Sequence, residues 1–472
     1  MTTAARSMPI PSTSGNCVIH TLNAFPDLAR LHQANPQRYP HLLESVAHGT
    51  PQARYDILFA FPGNTLRLDA AGGLHWPEGA LTGDFLAALD QVWGDAAHAS
   101  GEGGVDNRVP FTGGWLLYLG YELALTIEPA SALARPATDM PVAFATRFPA
   151  AIIRDHASLQ TYLVCENEGD DLLATMRADV VAGEDTADTT STHLHITLNE
   201  EPPERYLQGI QRILDYIRAG DVFQVNLSRE WRGEMGSDFS PVDLYRRLRR
   251  TNPAPFAGLL TLGADKAVIS SSPERLAEVR AGMLRTRPIA GTSPRSVDRA
   301  QDHVWSDELL RHPKERAEHI MLLDLERNDV GRVCLPGTVK VSEFMLLESY
   351  AHVHHIVSAV EGRLRPGVTP GQVIRAVFPG GTITGCPKVR SMQIIAELEQ
   401  TGRGAYTGSM GYLNHDGSMD LNILIRTLVQ NGRHVSLRAG GGIVADSDPL
   451  RELRETQAKA AGLLAALIGP AP

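Results

Sequence analysis

At 472 residues, with 43% apolar and 21% charged side chains, the chain has the size and balance of a soluble globular protein of one large domain or two ordinary ones. A formal charge of −10 gives no electrostatic attraction for nucleic acid or an anionic membrane, and Cys17, Cys165, Cys334 and Cys386 form no CxxC pair. No run of about 20 apolar residues could span a bilayer, and the opening MTTAARSMPIPSTSGN lacks the apolar core of a signal peptide, so the expected compartment is the reducing cytoplasm.

Residues 1–16, rich in Ser, Thr and Pro, read as a flexible tail. From 17 to 165, short β-type runs (YDILFAF, GGWLLYLGY, AAIIR, LQTYLV) alternate with Gly/Pro turns and predict a sheet-rich region. Residues 166–200 are acidic and Thr-rich, and are expected to form a loop or weak edge strand joining two halves of one body. From 201 to 468 helices and strands alternate. Glu204–Ala219 reads as an amphipathic helix, with Tyr206, Ile210, Ile213, Leu214 and Ile217 on one face and Gly220 at its C-terminal cap. Strands are predicted at LSREW, KAVISS, GSMGYL and HVSLRAGGGIV. Three further helices are predicted: one over Pro313–Asp329 with Ala317, Ile320, Met321 and Leu325 on its apolar stripe, one opened by Pro387 with Val389, Met392, Ile395 and Leu398 inward, and one begun by Asp448–Pro449. Without a repeat or a Rossmann glycine signature, this order favours an α+β fold with large antiparallel sheets.

Two helices carry paired acids at i, i+3: Glu315 with Glu318, and Glu452 with Glu455, the latter followed by Lys459 on the same side. Facing one another, four carboxylates would suit a hard cation such as Mg²⁺; two solvated helix faces satisfy the same spacing. Three glycine-rich segments (TRPIAGTSPR, FPGGTITGCPK, AGGGIVADSD) offer backbone amides to an anion, but none ends in the Lys-Ser/Thr of a P-loop. In SYAHVHHIVS, strand alternation places His352 and His354 on one face and His355 on the other, which fits a satisfied or catalytic histidine better than a zinc site. Arg426 lies in the apolar, strand-like run DLNILIRTLV and requires an anionic partner, in the protein or in a ligand.

Together GDVFQVNLSRE, SSPERL, RPIAGTSPR, AEHIMLLDLERNDVGRV, SYAHVHHIVS, FPGGTITGCPK, RGAYTGSMGYL, DLNILIRTL, AGGGIVADS and ELRETQAKA resemble the first component of anthranilate and aminodeoxychorismate synthases, within the chorismate-utilising enzymes. The resemblance runs from Tyr206 to Leu464, making 201–468 the chorismate-binding catalytic domain, and extends more weakly into 17–165 through YPHLLESVAHG and RYDILFAFP. It implies that fold, a β-sandwich of large antiparallel sheets with helices outside. It implies that Glu318 and Glu455 bind Mg²⁺ while Glu315 and Glu452 hold its waters or complete the cage. By the same resemblance Tyr406, Arg426 and the amides of Gly440, Gly441 and Gly442 take the enolpyruvyl carboxylate of chorismate; Gly291, Thr292 and Thr382 line the ring-carboxylate side; Lys459 offsets the glutamates; and His355 assists the departing C4 hydroxyl.

Water-using members carry a lysine base where this chain has Gln224, so ammonia is the expected nucleophile. The spellings QVNL, LDLERND, VHH and PGGTITGCPK favour amination at C4, as in the aminodeoxychorismate branch. Ala290 replaces the lysine of PIKGT and resembles the anthranilate branch, which aminates C2. No cysteine sits in a G-x-C-x-G setting, so ammonia is expected from a separate glutamine amidotransferase subunit. Leu43, Glu44 and Ser45, with Pro253, Pro255 and Phe256, resemble a tryptophan pocket, which leaves open a tryptophan-binding regulatory protein with weak catalysis.

Overall fold

In a computed structural model of the chain, residues 12–14, 17–47, 53–100, 108–134, 138–166, 169–183, 196–236, 239–296, 298–349 and 353–469 are described. They form two large antiparallel sheets, of thirteen and eleven strands, stacked face to face between helical layers. Strand alternation produces the layering. Ile57 and Phe59 point into the space between the sheets, where they meet Leu116, Tyr118 and Phe144 of the other sheet. Their neighbours Leu58 and Ala60 point the opposite way, into a core shared with the helices Leu28–Ala34, Pro241–Thr251 and Pro449–Ile468. On the outer face of the second sheet, Trp115, Leu117 and Leu119 pack beneath the helices Phe85–Ser100 and Pro370–Val377.

Eight strands and three helices build the site. In chain order the strands are β1 (Gln224–Met235), β2 (Lys266–Ser272), β3 (Arg275–Arg280), β4 (Ile289–Pro294), β5 (Val353–Arg363), β6 (Met419–Asn422), β7 (Thr427–Asn431) and β8 (His434–Ile443). The helices are α1 (Pro313–Gly331), α2 (Lys388–Glu399) and α3 (Pro449–Ile468). Strands β2, β7, β8 and β1 lie side by side in the first sheet, and β3 to β6 belong to the second. Among these strands the chain passes between sheets through Pro273–Glu274 and returns through residues 423–426, far apart in sequence but side by side in space. The crossings are bonded to each other: Ile423 N–H donates to the Glu274 carbonyl (3.0 Å), and Ser271 N–H to the Arg426 carbonyl (3.0 Å).

Several expectations need correction. Ser12–Ser14 is a short strand paired with Cys17–Ile19, while the remainder of the expected tail, residues 1–11 and 15–16, lies outside the described residues. The acidic stretch 166–200 contains the helix Asp170–Gly183, held by Leu173, Met176 and Val180, before the edge strand Ile196–Glu200; residues 167–168 and 184–195 are outside the described set. The regions 17–165 and 201–468 contribute strands to both sheets, as where Leu43 pairs with Gly258 and Leu119 with Ser409. Three helices after residue 201 escaped prediction, Pro241–Thr251, Arg299–Arg311 and Pro370–Val377, and so did Leu28–Ala34, Phe85–Ser100 and Ala124–Ile127 in the region expected to be sheet-rich. In α1 the buried side chains are His319, Leu322, Leu323, Glu326, Asp329 and Val330, whereas Ile320 is exposed; the stripe is rotated from the expected one because acids and a histidine occupy part of the core face. Among the described residues no helix is long and apolar enough to cross a membrane.

A buried charge network ties the first sheet to α2. The Glu399 carboxylate accepts hydrogen bonds from Ser228 N–H (2.9 Å), Arg403 Nη2 (2.7 Å) and Arg438 Nη2 (3.1 Å). Burial alone would push this carboxyl up, but Arg403 and Arg438 outweigh it and hold it below the usual range. Arg403 also donates to the Asn226 carbonyl (2.7 Å) and lies over the Tyr406 ring (5.5 Å). Removing the acid strands two buried guanidinium groups, so Glu399→Ala is expected to lower the unfolding free energy by about 3–5 kcal/mol in urea melts. A loss below about 1 kcal/mol, the scale of a surface pair, would show that the network is dispensable.

Candidate active site

Where the two crossings meet β1, β4, β5 and β8 beneath α1 and α3, the protein encloses a cavity of about 180 Å³. Helix α1 supplies Glu315, Glu318 and Leu322, at the i, i+3 and i+7 positions of one stripe. Asp448 caps α3 by accepting from Arg451 N–H (2.8 Å), and proline follows at the first helical position, which sets the register that brings Arg451, Glu452, Glu455 and Lys459 to the cavity. Strands β4 and β5 contribute Ala290, Gly291 and His355; β1 contributes Gln224 and Asn226; β8 contributes Arg438, Gly440 and Gly442. Thr382 and Ile383 come from the loop before α2, and Tyr406 from the turn after it. Gly441 borders the same space, since a Cβ there would lie 3.4 Å from Glu452 Oε2 and 3.5 Å from Lys459 Nζ. Thr292 pairs with His355 through the β4–β5 ladder, but its side chain is outside the described residues, as is all of His352.

The two acidic pairs do reach one cavity, although among the described residues no three His, Cys, Asp or Glu side chains form a ready-made metal cage. Glu318 accepts from Gln224 Nε2 (2.8 Å), and Glu455 pairs with Lys459 Nζ (2.6 Å), which also donates to the Gly440 carbonyl (3.0 Å). The glycines make this crowding feasible. A Cβ on Gly442 would meet Gln224 Nε2 at 1.9 Å and Glu318 Oε1 at 3.3 Å, and one on Gly291 would meet Glu315 Oε2 at 3.2 Å. Gly291 also has φ +91°, a conformation glycine adopts without Cβ strain. The donor set, carboxylate oxygens with no sulfur, fits Mg²⁺ or another hard cation.

Facing the acids are the cations. Arg426 is not within a strand, as its apolar neighbours suggested, but in the second crossing, with φ +53° and its guanidinium donating to the Lys459 carbonyl. Burial pushes its pKa down to about 10, so it stays charged at neutral pH. His355 faces the cavity and is held neutral: burial, then the adjacent Arg426 charge, push it down to about 3. Its neighbour His354 points away, bonded to Ser349 Oγ (2.7 Å) and Asp302 (3.0 Å), as strand alternation requires.

Glu274 was missed from sequence. It occupies the first crossing, is buried, and accepts from Thr382 Oγ1 (2.8 Å); burial pushes its carboxyl up to about 7, with a further upward contribution from Glu326. A carboxyl that titrates near neutrality in a cavity suits acid–base chemistry. Its signal was SSPERL, where a strand ends at Ser272–Pro273 and an acid stands in the break. Asn226, Arg438 and Arg451 are also additions to the expected set.

A second cavity, of about 380 Å³, lies beside the crossings and is lined by Leu43, Glu44, Ser45, Pro255 and Phe256, with Arg275 and Asn422 from the strands that adjoin the catalytic cavity. Pro253 does not line it. Glu44 is buried there, bonded by Tyr245 Oη (2.5 Å) and Arg249 Nη1 (3.3 Å).

Comparison with known proteins places this geometry. The family described as chorismate binding enzyme matches residues 60–465. The aminodeoxychorismate synthase component 1 of Bacillus subtilis is 39% identical over 378 residues, 76% of this chain and 77% of that protein. The anthranilate synthase component 1 of Streptomyces coelicolor is 37% identical over 471 residues, 93% of this chain and 90% of that protein. The crystal structure of anthranilate synthase component I from Streptococcus pneumoniae superposes with a TM-score of 0.76 at 30% identity, covering 88% of this chain and 93% of that one.

The raised pKa of Glu274 has a testable sign. A carboxyl at about 7 in the folded state and near 4.5 unfolded keeps its proton preferentially when folded, so its contribution to stability is lost as pH rises through 7. Glu274→Gln is therefore expected to gain stability relative to the native chain between pH 5 and pH 8 in thermal melts, while losing turnover. An unchanged difference across that range would show that Glu274 titrates normally.

Proposed function

The chain belongs to the chorismate-binding enzymes, and from that premise we propose that it condenses chorismate with ammonia to give 4-amino-4-deoxychorismate. In the net reaction a C–N bond forms at C4, the C4–O bond breaks, and the oxygen leaves as water with one proton taken from ammonia. The observation that carries the choice of ammonia is Gln224. It occupies the position of the water-activating lysine, and its Nε2 is bound to Glu318, so no base stands there to activate water. Of the spellings that favour C4, QVNL places Asn226 at the cavity and PGGTITGCPK places Thr382 and Ile383 there. Glu326 of LDLERND is buried behind, acting on Glu274, whereas His354 of VHH faces away. Ala290, at the cavity wall, offers no amine to attack C2, so ammonia itself makes the first bond.

Mg²⁺ is the proposed cofactor: Glu318 and Glu455 would hold it, with Glu315 and Glu452 completing the acidic set, and it would supply positive charge for the ring carboxylate. The residues of the chain do the rest. Arg426, Tyr406 and the amides of Gly440 to Gly442 take the enolpyruvyl carboxylate, with Gly291, Thr292 and Thr382 on the ring-carboxylate side. Glu274, half-protonated near neutrality, protonates the departing hydroxyl and recovers a proton from the new ammonium group, which closes the proton cycle. Neutral His355 donates a hydrogen bond to the same oxygen. The relatives are named component 1, which supports a separate glutaminase partner as the ammonia source in the cell. The second cavity is the proposed seat of tryptophan, supported by its separation from the catalytic one and by the residues that line it; it accompanies catalysis here rather than replacing it.

Two outcomes are expected. Glu318→Gln and Glu455→Gln each abolish Mg²⁺-dependent loss of chorismate; full activity in excess chelator would remove the metal from the scheme. With chorismate, Mg²⁺ and ammonium, the native chain forms a product of the mass of 4-amino-4-deoxychorismate, which a suitable lyase converts to p-aminobenzoate. Glutamine replaces ammonium only after a glutaminase subunit is added. Release of fluorescent anthranilate without a lyase would assign the chain to C2 amination, the outcome Ala290 favours.

A further inference from the structure

Gln224 and Asn226 are i and i+2 on β1, so their side chains leave the same face of the strand, and both line the catalytic cavity. They are almost completely enclosed, at 2% and 7% exposure. In each, the amide nitrogen is committed: Gln224 Nε2 donates to Glu318 (2.8 Å) and Asn226 Nδ2 to the Thr382 carbonyl (3.4 Å). Those bonds fix which end of each amide is oxygen, and the oxygens Gln224 Oε1 and Asn226 Oδ1 are buried with no hydrogen-bond partner. A buried acceptor left unmade is costly, and two on adjacent same-face positions call for a ligand that donates.

We propose that the Gln224 and Asn226 carbonyl oxygens form the seat of the attacking nitrogen, each accepting one N–H of ammonia so that its lone pair is left for the substrate ring. The match is one of hydrogen-bond inventory. Ammonia has three donors and a single lone pair, so a site made of acceptors binds it by the groups that do not react. A water molecule could donate to the same two acceptors, so the seat orients the nucleophile while the choice of nitrogen is carried by Gln224 standing where a base would be. Asn226 is thereby a positioning residue for the nucleophile, and its tie to the ring-carboxylate side is the one bond to the Thr382 main-chain carbonyl. The inference rests on the reading that nitrogen is the nucleophile, but not on whether C4 or C2 receives it.

The test is steady-state loss of chorismate with ammonium varied at saturating chorismate and Mg²⁺, together with chorismate affinity measured calorimetrically without ammonium. Asn226→Leu, which keeps the branched shape but removes the acceptor and the bond to the Thr382 carbonyl, is expected to raise the KM for ammonia about tenfold, the scale of one lost hydrogen bond, with chorismate affinity changed less than about twofold. Asn226→Asp, which keeps an oxygen at the same reach, should hold the ammonia KM near the native value. Should the leucine variant fail to melt cooperatively, Asn226→Ala removes the same acceptor without adding bulk and is read in the same way. An unchanged ammonia KM with a lower kcat, or parallel loss of ammonia KM and chorismate affinity, overturns the proposal. Product identity is scored separately, so anthranilate formation would revise the regiochemistry while the ammonia KM still decides the seat.

Discussion

The amide of Ile423 donates to the carbonyl of Glu274 at 3.0 Å, and around this bond two segments pass side by side from one sheet to the other. At a crossing the ladder is interrupted, so the backbone turns and the side chains no longer alternate between two packed faces. Both crossings put an ionisable group into that gap, Glu274 in one and Arg426 in the other. In a strand core each would need a charged partner, as Arg438 of β8 has in Glu399. The positive φ of Arg426 belongs to the same arrangement, a backbone conformation rarely adopted by side-chain-bearing residues.

Given that seam, the other groups follow from how helices cover it. The acid pairs of α1 and α3 can approach because the strand beneath them is glycine where they touch, and the cations that balance them come from the crossing and from α3 itself. Behind the cavity, Glu399 and its two arginines hold β1, β8 and the Tyr406 turn in register. The glutamates of α1 and α3 are therefore mounted on helices, and Glu274 and Arg426 on crossings bonded to each other, which suits chemistry that needs fixed donors.

Local signals in the sequence located most of the catalytic helices and strands. The acids of α1 and α3 were visible because i, i+3 spacing is a property of one helix, and α3 announced its own start with Asp448 and Pro449. What remained hidden was non-local. Glu274 is next to Arg275 in SSPERL and looks like a solvated turn until β2 and β3 are known to lie in different sheets. Arg426 sits among apolar residues that suggest one continuous strand, yet the strand breaks there. The helix Pro241–Thr251 was obscured by the basic run YRRLRR, although Ser240 caps it by accepting from Asp243 N–H (3.3 Å). The short helix Pro370–Val377 had a Thr369–Gln372 capping box in view, but eight residues gave too little periodicity to notice.

The interleaving of early and late strands has a consequence in time. Gly114–Leu119 lies against Ser409–Asn414, and His41–Glu44 against Phe256–Thr261, so strands made early wait for neighbours that emerge far later. Pairings of such sequence separation form slowly, because long loops must close before any contact compensates for the lost chain entropy. During that interval the runs YDILFAF and GGWLLYLGY present apolar, unpaired edges of the kind that aggregate. The seam between the sheets is thus a late event in folding, and the protein acquires its chemistry only when the whole chain has closed on itself.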